Sequence, residues 1–258
     1  PTSTAIYTAI TTDADGTAPN RAVAYSIKQG LGDDAALVTI DSATGVVTLK
    51  RSADYENKTQ YTFTVVATNV GPSGTRTTDQ PVTVAVVDVN DNAPSFTSGA
   101  TGSVEENAPT STAIYTAVTT DADGTAPNRA VAYTITQSPT DDSALVTIDS
   151  ATGVVTLKHF ADYENKNQYT FTVVATNVGS GGTRTTDQSV TVAVVDVNEY
   201  APSFTSGATG SVDENAPTST AIYTAITTDA DGTAPNRAVA YSIKQGLGDD
   251  AALVTIDS

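Results

Sequence analysis

The sequence predicts an all-β protein made of tandem seven-stranded Greek-key β-sandwiches of immunoglobulin-like architecture, and three observations support this fold class. The string Pro-Thr-Ser-Thr-Ala-Ile-Tyr begins at Pro1, Pro109 and Pro217, so the chain repeats every 108 residues. That period matches a whole domain of about 100 residues rather than one unit of a helical solenoid. Within each period, short segments rich in Val, Thr, Ile and Tyr alternate between apolar and polar residues. Turn residues separate these segments, and none of them has a helical period.

The middle repeat contains the predicted strands in full. An edge strand is expected within residues 96–104, followed by strands at residues 112–120, 131–137, 145–148, 154–157, 169–176 and 189–197. In Tyr169-Thr170-Phe171-Thr172-Val173 the large apolar side chains should share one face of the strand. Asp123-Gly124, residues 149–153 and residues 179–182 supply turn residues that tolerate a positive φ. Because strands and loops are short, we expect antiparallel sheets packed face to face.

The period divides the chain into three repeats, which we predict at residues 1–91, 92–199 and 200–258. The first repeat lacks a counterpart of the strand within 96–104, and the third stops partway through the unit. We therefore expect a piece of a longer array, in which the third repeat does not fold stably alone. Residues 217–258 copy residues 1–42 letter for letter, which indicates recent duplication.

The composition excludes several functional classes. The formal net charge of −17 argues against nucleic acid and anionic membranes as partners and favours cations. No run of about 18 apolar residues is present, so no membrane insertion is expected in this fragment. Cysteine is absent, which removes disulfides and thiol catalysis. The lone His159 has no counterpart in the other repeats and no Ser/His/Asp set accompanies it, so we predict that the chain is not an enzyme.

Acidic residues recur in fixed frames at the ends of the predicted strands. Asp-Tyr-Glu occurs at 54–56 and 162–164, and Asp-Ala-Asp-Gly occurs at 13–16, 121–124 and 229–232. In extended chain, period two places both acidic residues of a frame on one side. A longer acidic string begins at Asp88, between the first and middle repeats, and recurs at Asp196, between the middle and third repeats. Hard cations such as Ca²⁺ take about six to eight oxygen ligands, so these frames predict a cation site at each boundary.

Two simpler interpretations of the acidic frames were weighed. A single Asp123-Gly124 is more often only a hairpin turn, but its recurrence beside the boundary string favours the cation site. An EF-hand is excluded, because Ala126 and Ala132 stand where that loop needs Gly and Glu.

Taken together, these motifs resemble a cadherin repeat array. The resemblance covers nearly the whole unit and rests on Glu106-Asn107, Asp121-Ala122-Asp123, Thr152-Gly153-Val154, Asp162-Tyr163-Glu164, Ala175-Thr176-Asn177 and the string from Asp88 to Pro94. The uniform repeats, rich in Thr, Ala and Asp, look more similar to those of bacterial surface adhesins than to animal cadherins. The resemblance implies an extracellular or cell-surface location and about three Ca²⁺ per complete junction, held by oxygens of both neighbouring repeats.

The resemblance also implies a ligand set for each junction. At the first junction it maps onto Asp54, Glu56, Asp88, Asn90, Asp91, Asp121 and Asp123, with the carbonyls of Val89 and Asn92. At the second junction it maps onto Glu106, Asp162, Glu164, Asp196, Asn198, Glu199, Asp229 and Asp231, with the carbonyls of Val197 and Tyr200. The family also uses a carbonyl in the loop that holds Asn128 and a side chain at the position of Asn177, where Asp is usual. Because the first repeat has no counterpart of Glu106, we expect the first junction to be under-coordinated.

The interpretation we favour is a calcium-rigidified extracellular array that serves cell adhesion or extends a surface adhesin. The main alternative is a carbohydrate-binding module of a secreted polysaccharide-binding protein, which normally needs an aromatic platform. Tryptophan is absent, and the tyrosines fall mostly in strand patterns or beside ligand positions. A passive spacer that carries a distal domain is a third possibility. Besides calcium, the partners considered are a second copy of the chain and a polysaccharide.

Overall fold

The structure is a computed structural model that describes residues 4–14, 22–30, 32–246 and 248–256. Contacts divide the chain into two compact units. The first unit comprises residues 1–95, 120–131 and 176–186, and the second comprises residues 96–119, 132–175 and 187–258. The division into three repeats stays a prediction, and "repeat" below denotes the sequence period. None of the helices formed by the described residues has the length and apolar character that crossing a bilayer requires.

The first repeat forms two three-stranded sheets. Its strands are β1 (Ala5–Thr8), β2 (Val23–Ile27), β3 (Val38–Ile40), β4 (Val46–Leu49), β5 (Gln60–Gly71) and β6 (Gly74–Ala85), with a 3₁₀ turn at Ala35–Leu37. The sheet orders are β1-β4-β3 and β2-β5-β6, and every pair is antiparallel. Strand β5 alternates, so that Phe63 and Val65 pack against Val38 and Val47 of the other sheet. Burial of side chains of this size contributes roughly 1.5–3 kcal/mol each.

The middle repeat has the same plan with additional strands. Its strands are β7 (Ser95–Phe96), β8 (Thr101–Glu105), β9 (Ala113–Thr116), β10 (Thr119–Thr120), β11 (Val131–Thr136), β12 (Val146–Ile148), β13 (Val154–Leu157), β14 (Gln168–Gly179) and β15 (Gly182–Val195), with a 3₁₀ turn at Ser143–Leu145. The sheet orders are β12-β13-β9, β11-β14-β15-β8 and β10-β7. Tyr169, Phe171 and Val173 are buried on one face of β14, as predicted. The all-β sandwich is therefore confirmed.

The strand predicted at 112–120 is divided between two sheets. Strand β9 pairs with β13, whereas β10 pairs with β7. Between them the Ala117 N–H donates to Gly153 (2.9 Å), and the Val118 carbonyl accepts from Thr97 (2.8 Å). The chain changes pairing partners at these two residues. The sequence did not indicate this change, because β-propensity is uniform across the segment.

The expectation of purely antiparallel sheets is wrong at one edge. Strand β8 pairs with β15 in parallel, from Thr101 opposite Thr191 to Glu105 opposite Val195. These strands open and close the repeat, and no hairpin joins them, so the antiparallel rule for neighbouring strands does not apply. The parallel register brings Glu106, whose N–H donates to Val195 (3.0 Å), to the residue that precedes Asp196.

The third repeat forms fewer strands in the part of the chain that the structure describes. They are β16 (Ser203–Phe204) and β17 (Thr227–Thr228), which pair antiparallel, with a 3₁₀ turn at Ala251–Leu253. Ile222 and Tyr223 are 43% and 45% exposed, whereas their counterparts Ile114 and Tyr115 are 3% and 6% exposed. In the middle repeat, β13 and β14 border that core.

Candidate metal centre

Three carboxylates of the first unit converge at the end of β6. Glu56, Asp88 and Asp123 each offer an oxygen within 4.8 Å of the other two, and together they form the first cluster. Glu56 lies in the loop before β5, Asp88 follows β6, and Asp123 lies between β10 and β11. Asp88 and Asp123 are buried, and Glu56 is exposed. All three were predicted from the sequence at this junction.

Hydrogen bonds hold each buried carboxylate of the first cluster by one oxygen. Asp88 Oδ2 accepts from the Thr125 N–H (2.8 Å) and the Thr125 hydroxyl (2.5 Å). Asp123 Oδ1 accepts from the N–H (3.2 Å) and the side-chain amide (2.9 Å) of Asn92. The other oxygens, Asp88 Oδ1 and Asp123 Oδ2, are buried and have no hydrogen-bond partner among the described residues.

Two buried amides beside the first cluster also present unpartnered oxygens. Asn177 Nδ2 donates to Asp121 Oδ2 (2.5 Å) and to the Asn128 carbonyl (2.6 Å). Asn90 Nδ2 donates to the Gly182 carbonyl (2.7 Å). The Oδ1 atom of each amide is buried and has no partner in the described part of the chain. Asp121 is linked to Asp123 through the Asp123 N–H (3.0 Å).

A second cluster lies in the second unit and contains Glu106, Glu164 and Asp196, with oxygens again within 4.8 Å of one another. Glu106 is 3% exposed. Its two oxygens accept the N–H groups of Tyr163 (2.8 Å) and Val197 (2.6 Å). The buried Glu106 thus accepts hydrogen bonds from the main chain of the Asp162–Glu164 frame and from that of the string that begins at Asp196.

Asp231, from the third repeat, binds the acidic string that begins at Asp196. Its Oδ1 accepts the N–H groups of Glu199 (3.1 Å) and Tyr200 (3.2 Å), and its own N–H donates to Asp229 (3.1 Å). Asp196 Oδ2 accepts the N–H (2.7 Å) and the hydroxyl of Thr233. Asp231 Oδ2 and Asp196 Oδ1 are buried and unpartnered within the described residues.

The remaining predicted ligands lie outside the two three-carboxylate clusters. Asp54, Asp91 and Asp162 are exposed, and the first and last of them accept N–H groups of their own turns, from Asn57 (3.1 Å) and Asn165 (3.0 Å). Glu199 accepts from the Asn107 side chain. The ligand roles of the exposed Asn198 and of the carbonyls of Val89, Asn92, Val197 and Tyr200 stay predictions.

The surroundings of these carboxylates shift their pKa values in opposite directions. Loss of solvation, with the charges of Glu106, Asp196 and Glu199, raises the pKa of Glu164. Loss of solvation also raises the pKa of Asp121. By contrast, the side-chain hydrogen bond from Thr125 lowers the pKa of Asp88, and the Thr233 side chain does the same for Asp196. Ionised carboxylates about 4 Å apart repel by roughly 1–4 kcal/mol per pair, depending on the effective dielectric.

The donor set fits a hard divalent cation. Six buried side-chain oxygens have no partner in the described structure, and all six belong to predicted ligand residues: Asp88, Asn90, Asp123, Asn177, Asp196 and Asp231. An unsatisfied buried polar group costs about 1–3 kcal/mol, and more if charged. Carboxylate and amide oxygens are the ligands that Ca²⁺ prefers.

Sequence reasoning missed two contributions to these sites. Thr125 and Thr233 each give two hydrogen bonds to a cluster aspartate, and their recurrence 108 residues apart was the available signal. Gly124 was predicted as a turn residue that tolerates a positive φ, and it does not adopt one. The glycine is needed because a Cβ there would overlap the ring of Tyr55, as it would at Gly232 with Tyr163.

Comparison with known proteins identifies the repeat. The cadherin domain model matches residues 1–87 and 100–195. Mouse protocadherin Fat 4 is 39% identical over 196 residues, 74% of this chain and 4% of that protein. The Drosophila Fat-like cadherin-related tumor suppressor homolog is 31% identical over 249 residues, 95% of this chain and 5% of that protein. The chain therefore spans only a small part of these relatives.

Solved structures agree with the sequence comparison. The EC22-24 fragment of mouse cadherin-23 superposes with a TM-score of 0.71 and 28% identity, over 92% of this chain and 74% of that one. These relatives come from animals, so the predicted resemblance to bacterial adhesins is not supported. They are adhesion proteins with extracellular repeats and not enzymes. The chain belongs to the cadherin family, as an array of extracellular cadherin repeats.

Proposed function

We propose that the chain binds calcium at the boundaries between its repeats and that ion binding stiffens these boundaries for cell adhesion or for reach from a surface. The observation that carries the proposal is that six buried oxygens at predicted ligand positions have no partner among the described residues. Glu56 and Asp88 come from the first repeat and Asp123 from the middle repeat. One divalent cation would supply the positive charge that lets these carboxylates remain ionised in close contact.

We also propose the full ligand sets predicted from the sequence, with about three Ca²⁺ at the second junction. Seven carboxylates belong to that set: Glu106, Asp162, Glu164, Asp196, Glu199, Asp229 and Asp231. About three divalent ions would nearly neutralise them. The first cluster contains Asp123, whereas the second contains Glu106.

The strand tyrosines of the middle repeat do not support a polysaccharide-binding function. Tyr115, Tyr133 and Tyr169 are buried, so these three rings are not available for stacking on a sugar. Tyr163 is half-buried beside Gly232. Self-association is the partner choice that follows from membership of an adhesion family, and we propose a second copy of the chain as the adhesive partner.

A thermal melt of the whole chain in calcium and in chelator tests calcium binding. Because the ion binds the folded state alone, the melting temperature should rise with the logarithm of free calcium. Small-angle scattering of the same samples tests the stiffening, which predicts a larger maximum dimension in calcium. Magnesium serves as the control cation, since it prefers about six ligands in a tighter octahedral geometry.

Each outcome separates one part of the proposal. A melting temperature that is equal in calcium and chelator contradicts calcium binding. A rise in melting temperature without a change of maximum dimension contradicts stiffening alone. Calcium-dependent dimerisation in analytical ultracentrifugation supports homophilic adhesion, whereas binding to a glycan array by a calcium-loaded monomer contradicts it.

A further inference from the structure

The tight turn between β14 and β15 contacts the acidic string that precedes its own repeat. This turn, residues 179–182 with the sequence Gly-Ser-Gly-Gly, is called the linker hairpin, and it lies with Asp88 and Asn90 in the first unit. The Ser180 hydroxyl donates to the Asp88 carbonyl (3.0 Å), and the Ser180 carbonyl accepts the Asn90 N–H (2.5 Å). The Ser180 N–H donates to Asn128 Oδ1 (3.0 Å). These contacts do not use any of the six buried side-chain oxygens that have no partner among the described residues.

The linker hairpin also orients the Asn90 side chain. The Gly182 carbonyl accepts from Asn90 Nδ2 (2.7 Å), and Asn90 is fully buried. An amide whose nitrogen is held in this way must point its oxygen to the other side. That oxygen, Asn90 Oδ1, is one of the six buried atoms without a partner among the described residues. The hairpin therefore selects which end of the Asn90 amide faces the candidate site.

The sequence of the hairpin is matched to this contact. A Cβ at Gly181 would lie 2.5 Å from Val89 Cγ1 and 3.2 Å from the Asn90 carbonyl oxygen, and Gly181 has a φ of +103°. A side chain at this position would therefore meet both a steric and a backbone penalty. A Cβ at Gly179 would overlap the Asn128 side chain.

The first repeat has the same hairpin with a different sequence, Gly71-Pro72-Ser73-Gly74. Pro72 replaces Ser180 and has neither an N–H nor a hydroxyl to donate. Ser73 replaces Gly181, and it is not among the described residues with a positive φ. Both hairpins still close the same pair of strands, and the final glycines have similar φ values, +112° at Gly74 and +120° at Gly182. The Pro-Ser hairpin thus closes the same strand pair but lacks the hydroxyl and the N–H that Ser180 donates to Asp88 and Asn128.

We propose that Ser180 and Gly181 are positioning residues. They hold the acidic string from Asp88 to Pro94 at the first junction, and they orient the Asn90 amide for the cation before any ion is bound. The proposal rests on the proposed calcium site for its effect on affinity, but the hydrogen bonds themselves require no ion. Repeats with Gly-Ser-Gly-Gly at this turn would form pre-organised junctions, and repeats with Gly-Pro-Ser-Gly would form junctions ordered by calcium alone.

The test exchanges the two hairpin sequences within the full chain. The variant Ser180→Pro/Gly181→Ser places in the middle repeat the turn sequence that closes the equivalent strand pair in the first repeat. The matched control, Pro72→Ser/Ser73→Gly, makes the reverse exchange away from the linker. We expect NMR in chelator to show solvent exchange of the Asn90 side-chain amide at least about tenfold faster in the variant, because two or more hydrogen bonds are lost. Calcium affinity of the first junction should fall by about the same factor, and the control should match wild type.

Two further results keep the proposal falsifiable. Ser180→Ala should show part of the faster exchange of the Asn90 amide. Ser180→Thr, which retains a hydroxyl, should keep the slow exchange of wild type. These two single variants test the proposal even if the double variant does not fold. Unchanged exchange of the Asn90 amide in Ser180→Ala and in the folded double variant overturns the proposal. If wild type binds no calcium, the proposed function fails, yet slow exchange of Asn90 in chelator would still support the positioning role.

Discussion

Asp231 shows how one side chain serves both the fold and the candidate site. Its Oδ1 accepts two main-chain N–H groups of the acidic string, while Oδ2 is buried without a partner in the described structure. An amide oxygen can replace Oδ1 as acceptor, but the charge and one anionic ligand are lost. The two functions of Asp231 can therefore be separated by a single substitution.

We predict that Asp231→Asn weakens calcium binding at the second junction by about tenfold or more, because ligand charge sets affinity in such sites. In chelator its melting temperature should not fall, since removal of one charge relieves repulsion within the cluster. Calorimetric titration and paired melts measure both effects. Asp187→Asn, at an exposed position on β15, is the matched control. Calcium affinity equal to wild type in Asp231→Asn would show that Asp231 is not a ligand.

The pKa shifts predict an unusual response of the ion-free protein to pH. Loss of solvation and neighbouring carboxylates raise the folded-state pKa of Glu164 above its ordinary value of 4.5. The folded state thus binds more protons than the unfolded chain above that value, so stability should increase as pH falls toward it. The Thr125 and Thr233 side chains lower the pKa of Asp88 and Asp196 below 3.8, so their stabilising contribution disappears only at lower pH.

In chelator we therefore expect the melting temperature to rise between about pH 7 and about pH 5, and to fall below about pH 3.8. In calcium it should fall throughout, because protons compete with the ion for the carboxylates. Glu164→Gln should reduce the rise in chelator, whereas Asp187→Asn should not. A chelated protein whose melting temperature decreases steadily from neutral pH would contradict this account of the cluster.

At the scale of the element, β8 couples the fold to the second cluster. It ends beside Glu106, and its Gly102 lies so close to β9 that a Cβ would overlap the Ile114 carbonyl oxygen. We predict that Gly102→Ala destabilises the protein by about 1–3 kcal/mol through displacement of β8. Calcium affinity should fall as well, because Glu106 moves with the strand.

Chemical denaturation and calcium titration of Gly102→Ala test this coupling. The control is Gly99→Ala, three residues earlier, where a Cβ would meet nothing within 4 Å. Loss of stability in Gly102→Ala with full calcium affinity would show that Glu106 does not depend on the position of β8.

The pairing of strand β8 also shows which features of the fold the sequence could not predict. Alternation in β14 predicted its buried face, and the acidic frames predicted the cluster residues other than Glu106, which the family resemblance implied. Both patterns are local or repeat with the period. The parallel pairing of β8 with β15 joins segments about 90 residues apart and leaves no local signal. The fit of Gly124 beneath Tyr55 is likewise a contact between distant segments, whereas Asp-Gly by itself favours a turn.

At the scale of the whole molecule, the described part of the chain supplies no ion-pair partner to the acidic clusters. The chain has 29 acidic and 12 basic residues. Among the described residues the ion pairs are Lys28–Asp79, Lys58–Asp34 and Lys166–Asp142, and none includes a cluster carboxylate. Lys58 and Lys166 instead occupy equivalent positions before β5 and β14. Neutralisation of the clusters is thus left to ions from solution.

This charge distribution predicts that salt and calcium substitute for each other in part. In chelator, raising monovalent salt from about 20 mM to about 500 mM should increase the melting temperature, because the Debye length falls well below about 10 Å. In saturating calcium the increase should be much smaller, since the clusters are already neutralised. Differential scanning calorimetry in sodium chloride and in tetramethylammonium chloride separates screening from occupancy by sodium, as the bulky cation can only screen. If salt leaves the chelated protein unchanged, repulsion between cluster carboxylates does not limit its stability, and calcium must stabilise the junctions through ligand geometry alone.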